Sequence, residues 1–261
     1  MKITFLGTCG GTEPMPGRKH SSFTFEIGDN LYWFDAGESC SYTAHLLGID
    51  LLNTQAIFIS HTHMDHIGGL PNLLWNIRKL TNQSEAGTAK MAGRIVPIHI
   101  PDLEVWNGVW KILRGTEGGY ATNFGLEPIT YQDGQIYQDR TVTVTARHNL
   151  HLGEPPAGTR WRSFSLQIQT ENKTVVYSGD LQNIQELEPW LDSADLLMCE
   201  TGHLQPEAVC QFLKDRHFRG ALVFVHHGRA ILENPQLELH KSQAIFGDNV
   251  LISEDGESFT L

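Results

Sequence analysis

The run His61-Thr62-His63-Met64-Asp65-His66 sets four metal-ligand side chains within six residues. Neutral imidazole and carboxylate suit zinc and similar divalent ions. His61 and His63 are two apart, so on an extended segment they point the same way. Asp65 and His66 stand at the turn into the next predicted helix and can face a second ion beside the first. Gly68-Gly69 lets the backbone turn there. A single Asp or His at such a place is usually a polar loop residue. The whole cluster, directly after a short apolar strand at 56–60, has a mechanism and the context that mechanism needs.

Two ions require more ligands, expected at the C-terminal ends of other strands. Three positions qualify: His151 after a strand at 141–146, Asp180 after one at 174–178, and His226 after one at 221–225. An aspartate so placed can bridge two ions. His148 competes with His151, and His227 with His226. Asp35, ending a strand at 31–34, reads equally as a partner that orients a ligand histidine or as a structural residue. Arg147, Arg160, Arg162 and Arg229 lie near the candidate ligands in sequence, and guanidinium suits phosphate geometry; none stands out. The chain holds 13 histidines. His20, His45, His99, His217 and His240 read as ordinary surface or core residues.

These residues need elements to position them. Alternation and β-rich runs predict strands at 2–6, 22–27, 31–34, 56–60, 96–100 and 141–146. A hairpin follows at 164–169 and 174–178, then strands at 196–199, 221–225, 250–253 and 258–261. Helices are predicted at 39–47, 68–79, 103–113, 206–215 and 235–245. Segment 82–93, small and Gly/Ala-rich, reads as a mobile loop, and 115–139 as irregular. Residues 152–162, with Pro155-Pro156 and Trp161, are expected to line a substrate entrance. Both halves begin with β-structure and finish with helices. Two facing sheets with helices outside would bury the apolar strand faces. No strict repeat or linker is evident, so a single domain, 1–261, is expected.

Composition narrows the partners. A formal charge of -11 excludes bulk attraction to nucleic acid or anionic membrane. No apolar stretch approaches the roughly 18–20 residues of a membrane span. The N-terminus runs straight into strand-like sequence and does not read as a signal peptide. Four scattered cysteines are then expected as reduced thiols, and cytoplasm as the compartment.

Several pieces together resemble the metallo-β-lactamase superfamily, in particular its tRNase Z-like phosphodiesterase branch. They are Ile3-Thr-Phe-Leu-Gly7 with Pro14, Pro16 and Arg18; Phe34-Asp35-Ala36-Gly37-Glu38; the block from Ile57 to Pro71; Tyr177-Ser-Gly-Asp180; and the ending around Asp255-Gly256. The resemblance implies an α/β fold, the αβ/βα four-layer sandwich, with two metal ions at the sheet edge. It assigns His61, His63 and His151 to one ion and Asp65, His66 and His226 to the other, with Asp180 bridging. His151 is selected because it stands five residues after Ala146, and His226 because it ends the run Leu222-Val-Phe-Val. Glu200-Thr-Gly-His203 resembles a segment whose histidine assists catalysis. His203 and Glu200, with Asp65, are therefore the candidate catalytic residues; otherwise His203 merely caps the helix starting near Pro206.

The expected ions are zinc, with manganese or iron as alternatives. The expected reaction is hydrolysis of a small phosphodiester or nucleotide-type substrate, water attacking phosphorus while the ions stabilise the departing oxygen. Acyl hydrolysis of a lactone, thioester or β-lactam on the same site is one alternative, and a non-catalytic metal-binding module, against which the full ligand set argues, is another. tRNA 3′ processing is disfavoured. The long arm of the tRNA-processing members has no room between His151 and Asp180, and His227-Gly228-Arg229 replaces their Ser/Thr-containing stretch. RNA is a possible but unfavoured partner, a membrane is not expected, and a homodimer is suggested by the resemblance alone.

Overall fold

The computed structural model describes residues 1–261, apart from the side chain of Glu117. Its strands are β1 (Lys2–Gly7), β2 (Ser22–Ile27), β3 (Asn30–Phe34), β4 (Thr54–Phe58), β5 (Ile95–His99) and β6 (Gly125–Ile129). They continue as β7 (Gly134–Gln138), β8 (Thr143–His148), β9 (Phe164–Gln169), β10 (Thr174–Tyr177), β11 (Leu196–Thr201), β12 (Ala221–His227), β13 (Val250–Ile252) and β14 (Ser258–Thr260). The chain divides into two compact units. One comprises Met1–Gly7, Gly17–Tyr131 and Asp255–Leu261; the other comprises Thr8–Pro16 and Gln132–Glu254.

The first unit holds a seven-stranded sheet in the order β14-β1-β2-β3-β4-β5-β6. Its pairs from β14 to β3 are antiparallel and those from β3 to β6 are parallel. The helices here are α1 (Cys40–Leu46), α2 (Met64–Ile67), α3 (Leu70–Thr81), α4 (Glu85–Met91) and α5 (Leu103–Arg114). In α3, Leu70, Leu73, Leu74 and Ile77 recur at helical spacing and are all buried. They pack with Trp33, Ile57, Val96 and Ile98. Each such side chain stabilises the fold by about 1.5–3 kcal/mol through lost apolar exposure. Phe25, Phe34 and Phe58 form a separate aromatic column, with ring centroids 4.6 and 5.1 Å apart.

The second unit holds a sheet in the order β13-β12-β11-β10-β9-β8-β7. From β7 to β10 the pairs are antiparallel, and from β10 to β13 parallel. Each sheet thus has three antiparallel pairs followed by three parallel ones, a repeat of topology that the sequence does not display. Here α6 (Glu188–Leu191), α7 (Pro206–Asp215), α8 (Arg229–Glu233) and α9 (Pro235–Phe246) contribute to a core around Leu197, Cys199, Leu222 and Phe224.

Two expectations need correction. Residues 82–93 are not a loop: the Ser84 side chain accepts from the Gly87 amide and starts α4, which buries Met91. The small-residue composition hid a helix held by its cap. Residues 115–139 are not irregular throughout, since β6 and β7 lie there. Both are edge strands of their sheets, half exposed, so neither needs the clean alternation that would reveal it. Among the described residues, no helix is long and apolar enough to cross a membrane, and no disulfide joins the four buried cysteines.

Candidate metal centre

In the first unit, β4 delivers the chain to Ser60 and His61, and α2 carries Asp65 and His66. His61 and His66 are fully buried, Asp65 nearly so, and His63 is exposed. The His61 ring lies 4.7 Å from that of His63 and 4.0 Å from that of His66. His66 Nε2 is 3.3 Å from Asp65 Oδ2. Asp35, wholly buried beyond the end of β3, organises the group. Its carboxylate accepts from the Ser60 amide at 2.7 Å, from Ser60 Oγ at 2.8 Å and from His66 Nδ1 at 2.7 Å.

These bonds fix two tautomers. The carboxylate can only accept, so His66 carries its proton on Nδ1 and leaves an Nε2 lone pair. The Ser60 hydroxyl donates its one proton to Asp35. Toward His61 Nδ1, 3.2 Å away, it can therefore only accept. His61 is thus also protonated on Nδ1 with a lone pair on Nε2. One buried carboxylate sets both imidazoles in the form a metal requires.

Close backbone packing holds the turn. A Cβ on Gly69 would lie 2.1 Å from the Gly37 carbonyl oxygen, and one on Gly37 would lie 2.4 Å from that of Asp65. Glycine at both positions is what allows the Asp35 loop to clamp the His61–His66 turn.

In the second unit the ends of β10, β11 and β12 converge. Asp180 is buried, with Oδ1 3.3 Å from His226 Nε2 and Oδ2 3.6 Å from His151 Nε2. Glu200, fully buried on β11, accepts from the His203 amide at 2.8 Å, from His203 Nδ1 at 3.2 Å and from the Leu181 amide at 3.1 Å. Burial pushes the Glu200 carboxyl up, but its bond from His203 and the adjacent His226 imidazole outweigh that and hold it below the usual range. The bond to Glu200 raises the His203 pKa. His226 Nδ1 lies 3.7 Å from Glu200 Oε2, and the His203 and His226 rings stack 5.8 Å apart. Glu200 is therefore a positioning residue beneath two imidazoles.

The competing histidines separate. His148 turns to Asp133, with Nδ1 2.6 Å from Oδ2, and stacks on Trp161; His151 is the one beside Asp180. His227 is buried, its Nε2 donating to the Ser253 carbonyl at 2.8 Å; His226 is the one beside Asp180. His226 is the extra residue of a bulge in the β11–β12 register, with φ 45°, and this irregularity parts it from His227.

Sequence reading missed Ser60, whose role is legible only once Asp35 lies beside it. It also missed the glycines around His226. A Cβ on Gly202 would come within 2.7 Å of His226 Nδ1, and one on Gly10 within 3.0 Å of Cε1. Gly202 has an ordinary φ, so alanine there acts by displacing the ring alone. Gly202→Ala is expected to weaken metal binding by about 10–100-fold, the loss typical when a ligand's supporting shell is disturbed. Competition with a chromophoric chelator would measure this. Unchanged affinity would show that His226 needs no such clearance.

The donor chemistry in both units suits divalent ions: clustered imidazoles, two of them in the first unit with fixed tautomers, and buried carboxylates. The family model described as Anti-Pycsar protein Apyc1 matches residues 1–210. The chain belongs to this family. Over 73 residues this Apyc1-family chain is 44% identical to ribonuclease Z of Picrophilus torridus, covering 28% of the chain and 23% of that enzyme. The matched part thus spans less than a quarter of the relative's own length. Among solved structures, the metallo-β-lactamase fold protein YhfI from Bacillus subtilis is similar with TM-score 0.72 and 21% identity over 99% of each chain. The short form of human tRNase Z is similar with TM-score 0.72 and 20% identity, over 100% of this chain and 99% of that one. The fold of the Apyc1-family chain is therefore the metallo-β-lactamase fold.

Proposed function

We propose that this chain is a metal-dependent phosphodiesterase that opens cyclic nucleotides to nucleoside monophosphates. Membership of a family of cyclic-nucleotide-degrading proteins carries this reading. The donor sets support it. In this reading the two units work as one hydrolase domain. His61, His63 and His151 would hold one ion and Asp65, His66 and His226 a second, with Asp180 shared, as the metallo-β-lactamase resemblance implies. Zinc suits these donors best, with manganese or iron as alternatives. Bound ions of this kind lower the pKa of water and neutralise charge on phosphoryl oxygens.

The chain's own groups supply the rest. Asp35 and Ser60 hold the His61 and His66 tautomers. Glu200 holds the His203 and His226 rings. His203, with Nδ1 engaged by Glu200 and its side chain 43% exposed, has Nε2 left to hand a proton to the departing ribose oxygen. Overall, water adds to phosphorus, the bond to one ribose oxygen breaks, and that oxygen gains the proton. The connections of the second unit favour a small substrate. The link between β9 and β10 is a tight turn closed by Thr170 and Lys173, with no inserted arm to grip a tRNA.

A panel of 3′,5′-cyclic nucleotides, a bis-aryl phosphate, a lactone, a thioester and a cephalosporin tests the reaction class. Cyclic nucleotides are expected to be the best substrates, with about two ions per chain by elemental analysis. Turnover of acyl substrates alone would overturn the proposal. His203→Ala is expected to lower kcat on a cyclic nucleotide by about 100–1,000-fold with metal content retained. On a diester with a p-nitrophenolate leaving group, which departs without a proton, the loss should be under about 10-fold. Equal losses on both would remove His203 from the proton-donor role.

A further inference from the structure

His148 and Trp161 are left unused by the metal chemistry, yet they are held with care. Their rings stack face to face, centroids 3.9 Å apart and planes within 14°. Both residues are held from the same two-residue segment, His148 through its ring and amide and Trp161 through its backbone. Asp133 accepts from the His148 amide and lies against its Nδ1, both at 2.6 Å. The Gln132 side chain accepts from the Trp161 amide at 3.2 Å and donates to the Trp161 carbonyl at 3.0 Å. The pair sits where β8 ends and β9 is about to begin, and contributes nothing to the buried core. An aromatic stack that is fixed in place, half exposed and outside the core is preorganised for a planar ligand.

Both rings line a cavity of about 480 Å³, within the range of small-ligand sites. The other lining side chains include Arg147, Leu150, Glu154 and Glu186. Carboxylates outnumber cations there, because Glu188 lies on the wall as well. Glu188 is paired with Arg216 and Glu186 accepts from three backbone amides, so the wall offers no surplus cation for a phosphate and suits the uncharged end of a nucleotide. Arg147 and Glu154, both exposed, offer a donor and an acceptor for the edge of a base. His148 is three residues from His151, a separation of at most about 11 Å along the chain. That distance is within reach of a nucleotide whose phosphate lies at His151.

We propose that the His148–Trp161 stack is the nucleobase subsite, on which the substrate's base lies flat while its cyclic phosphate is near His151. The assignment rests on the cyclic-nucleotide reading and adds to it the part of the chain that senses the base. It also explains why Asp133 and Gln132 are spent on holding two half-exposed aromatic residues in place.

Two measurements on the 261-residue chain test this together. In the first, kcat/KM is compared between a cyclic nucleotide and the base-less 1-O-methylribose 3′,5′-cyclic phosphate. The intact protein should prefer the nucleotide by about 10- to 100-fold, the usual worth of one stacked base. Trp161→Ala should bring that ratio near one, and Trp161→Phe should retain most of it. In the second, saturation-transfer NMR on metal-stripped protein reads contact with the base protons of a nucleoside 5′-monophosphate. The signal should be present in the intact protein and in Trp161→Phe, and lost in Trp161→Ala. Hydrolysis of cyclic nucleotides with an unchanged ratio and signal in Trp161→Ala would overturn the subsite and leave the phosphodiesterase reading intact. A base signal lost in Trp161→Ala, in a protein that hydrolyses no phosphodiester, would do the reverse.

Discussion

Asp180→Asn is expected to lower kcat/KM on a cyclic nucleotide by about 1,000-fold or more, because it removes the carboxylate proposed to serve both ions. The reasoning starts from distances. Asp180 presents one oxygen to His226 Nε2 and the other to His151 Nε2, at 3.3 and 3.6 Å, from a position that is almost fully buried. Asparagine has the same shape but one fewer acceptor and no charge.

Stability separates this from general damage. The charge on Asp180 opposes ionisation of the Glu200 carboxyl, so the metal-free protein contains buried like charges. Relieving them should leave metal-free Asp180→Asn no less stable than the parent chain, a common trade between function and stability. Metal is different. Saturating ions at about 100 times their Kd should stabilise the parent by about 2.7 kcal/mol, a Tm rise of about 5–10 °C in a protein of this size. The variant should lose most of that rise. Scanning calorimetry with and without Zn²⁺ measures both quantities. A variant that melts far lower without metal, yet still gains the full rise with it, would make Asp180 a structural residue.

The legible part of the site was the part written locally. His61–His66 is a contiguous block, and Asp180 and His226 end apolar runs, so strand-end reasoning reached them without tertiary information. His151 was harder. His148 has the same residue type at nearly the same place, and only Asp133, fifteen residues upstream in sequence, draws it away. Ser60 had no signal of its own, because a serine before a histidine is unremarkable until Asp35 is placed 2.8 Å from its hydroxyl. The matching topology of the two sheets was invisible for a related reason: pairing order is a property of long-range hydrogen bonds, and the two halves do not repeat their side chains. It is nonetheless why the candidate residues fall where they do. In each sheet a buried aspartate follows the first parallel strand, Asp35 directly after β3 and Asp180 three residues after the end of β10. One orients imidazoles from behind and the other faces them directly.

That contrast makes Asp35 the second decisive substitution. Asp35 has φ 57°, a left-handed conformation that Asn tolerates and Ala does not. Asp35→Asn therefore isolates chemistry from backbone strain. An amide oxygen can still accept from the Ser60 amide, but the amide NH2 now faces Ser60 Oγ and His66 Nδ1 with donors. The Ser60 hydroxyl must then turn its proton toward His61, and both imidazoles are pushed to the opposite tautomer, with the proton on Nε2 where a metal would bind. Metal affinity is expected to fall by about 10–100-fold, while folding loses only about 1–3 kcal/mol for the mismatched buried bonds. Asp35→Ala leaves Ser60 and His66 with no acceptor and adds strain at φ 57°, so about 3–5 kcal/mol should be lost. Urea denaturation gives the stability of each variant, and ¹⁵N shifts of His61 and His66 in the metal-free protein report the tautomers directly. If Asp35→Asn keeps both Nδ1–H tautomers, Asp35 does not set the protonation of these ligands, and its conformation alone must account for any loss of metal.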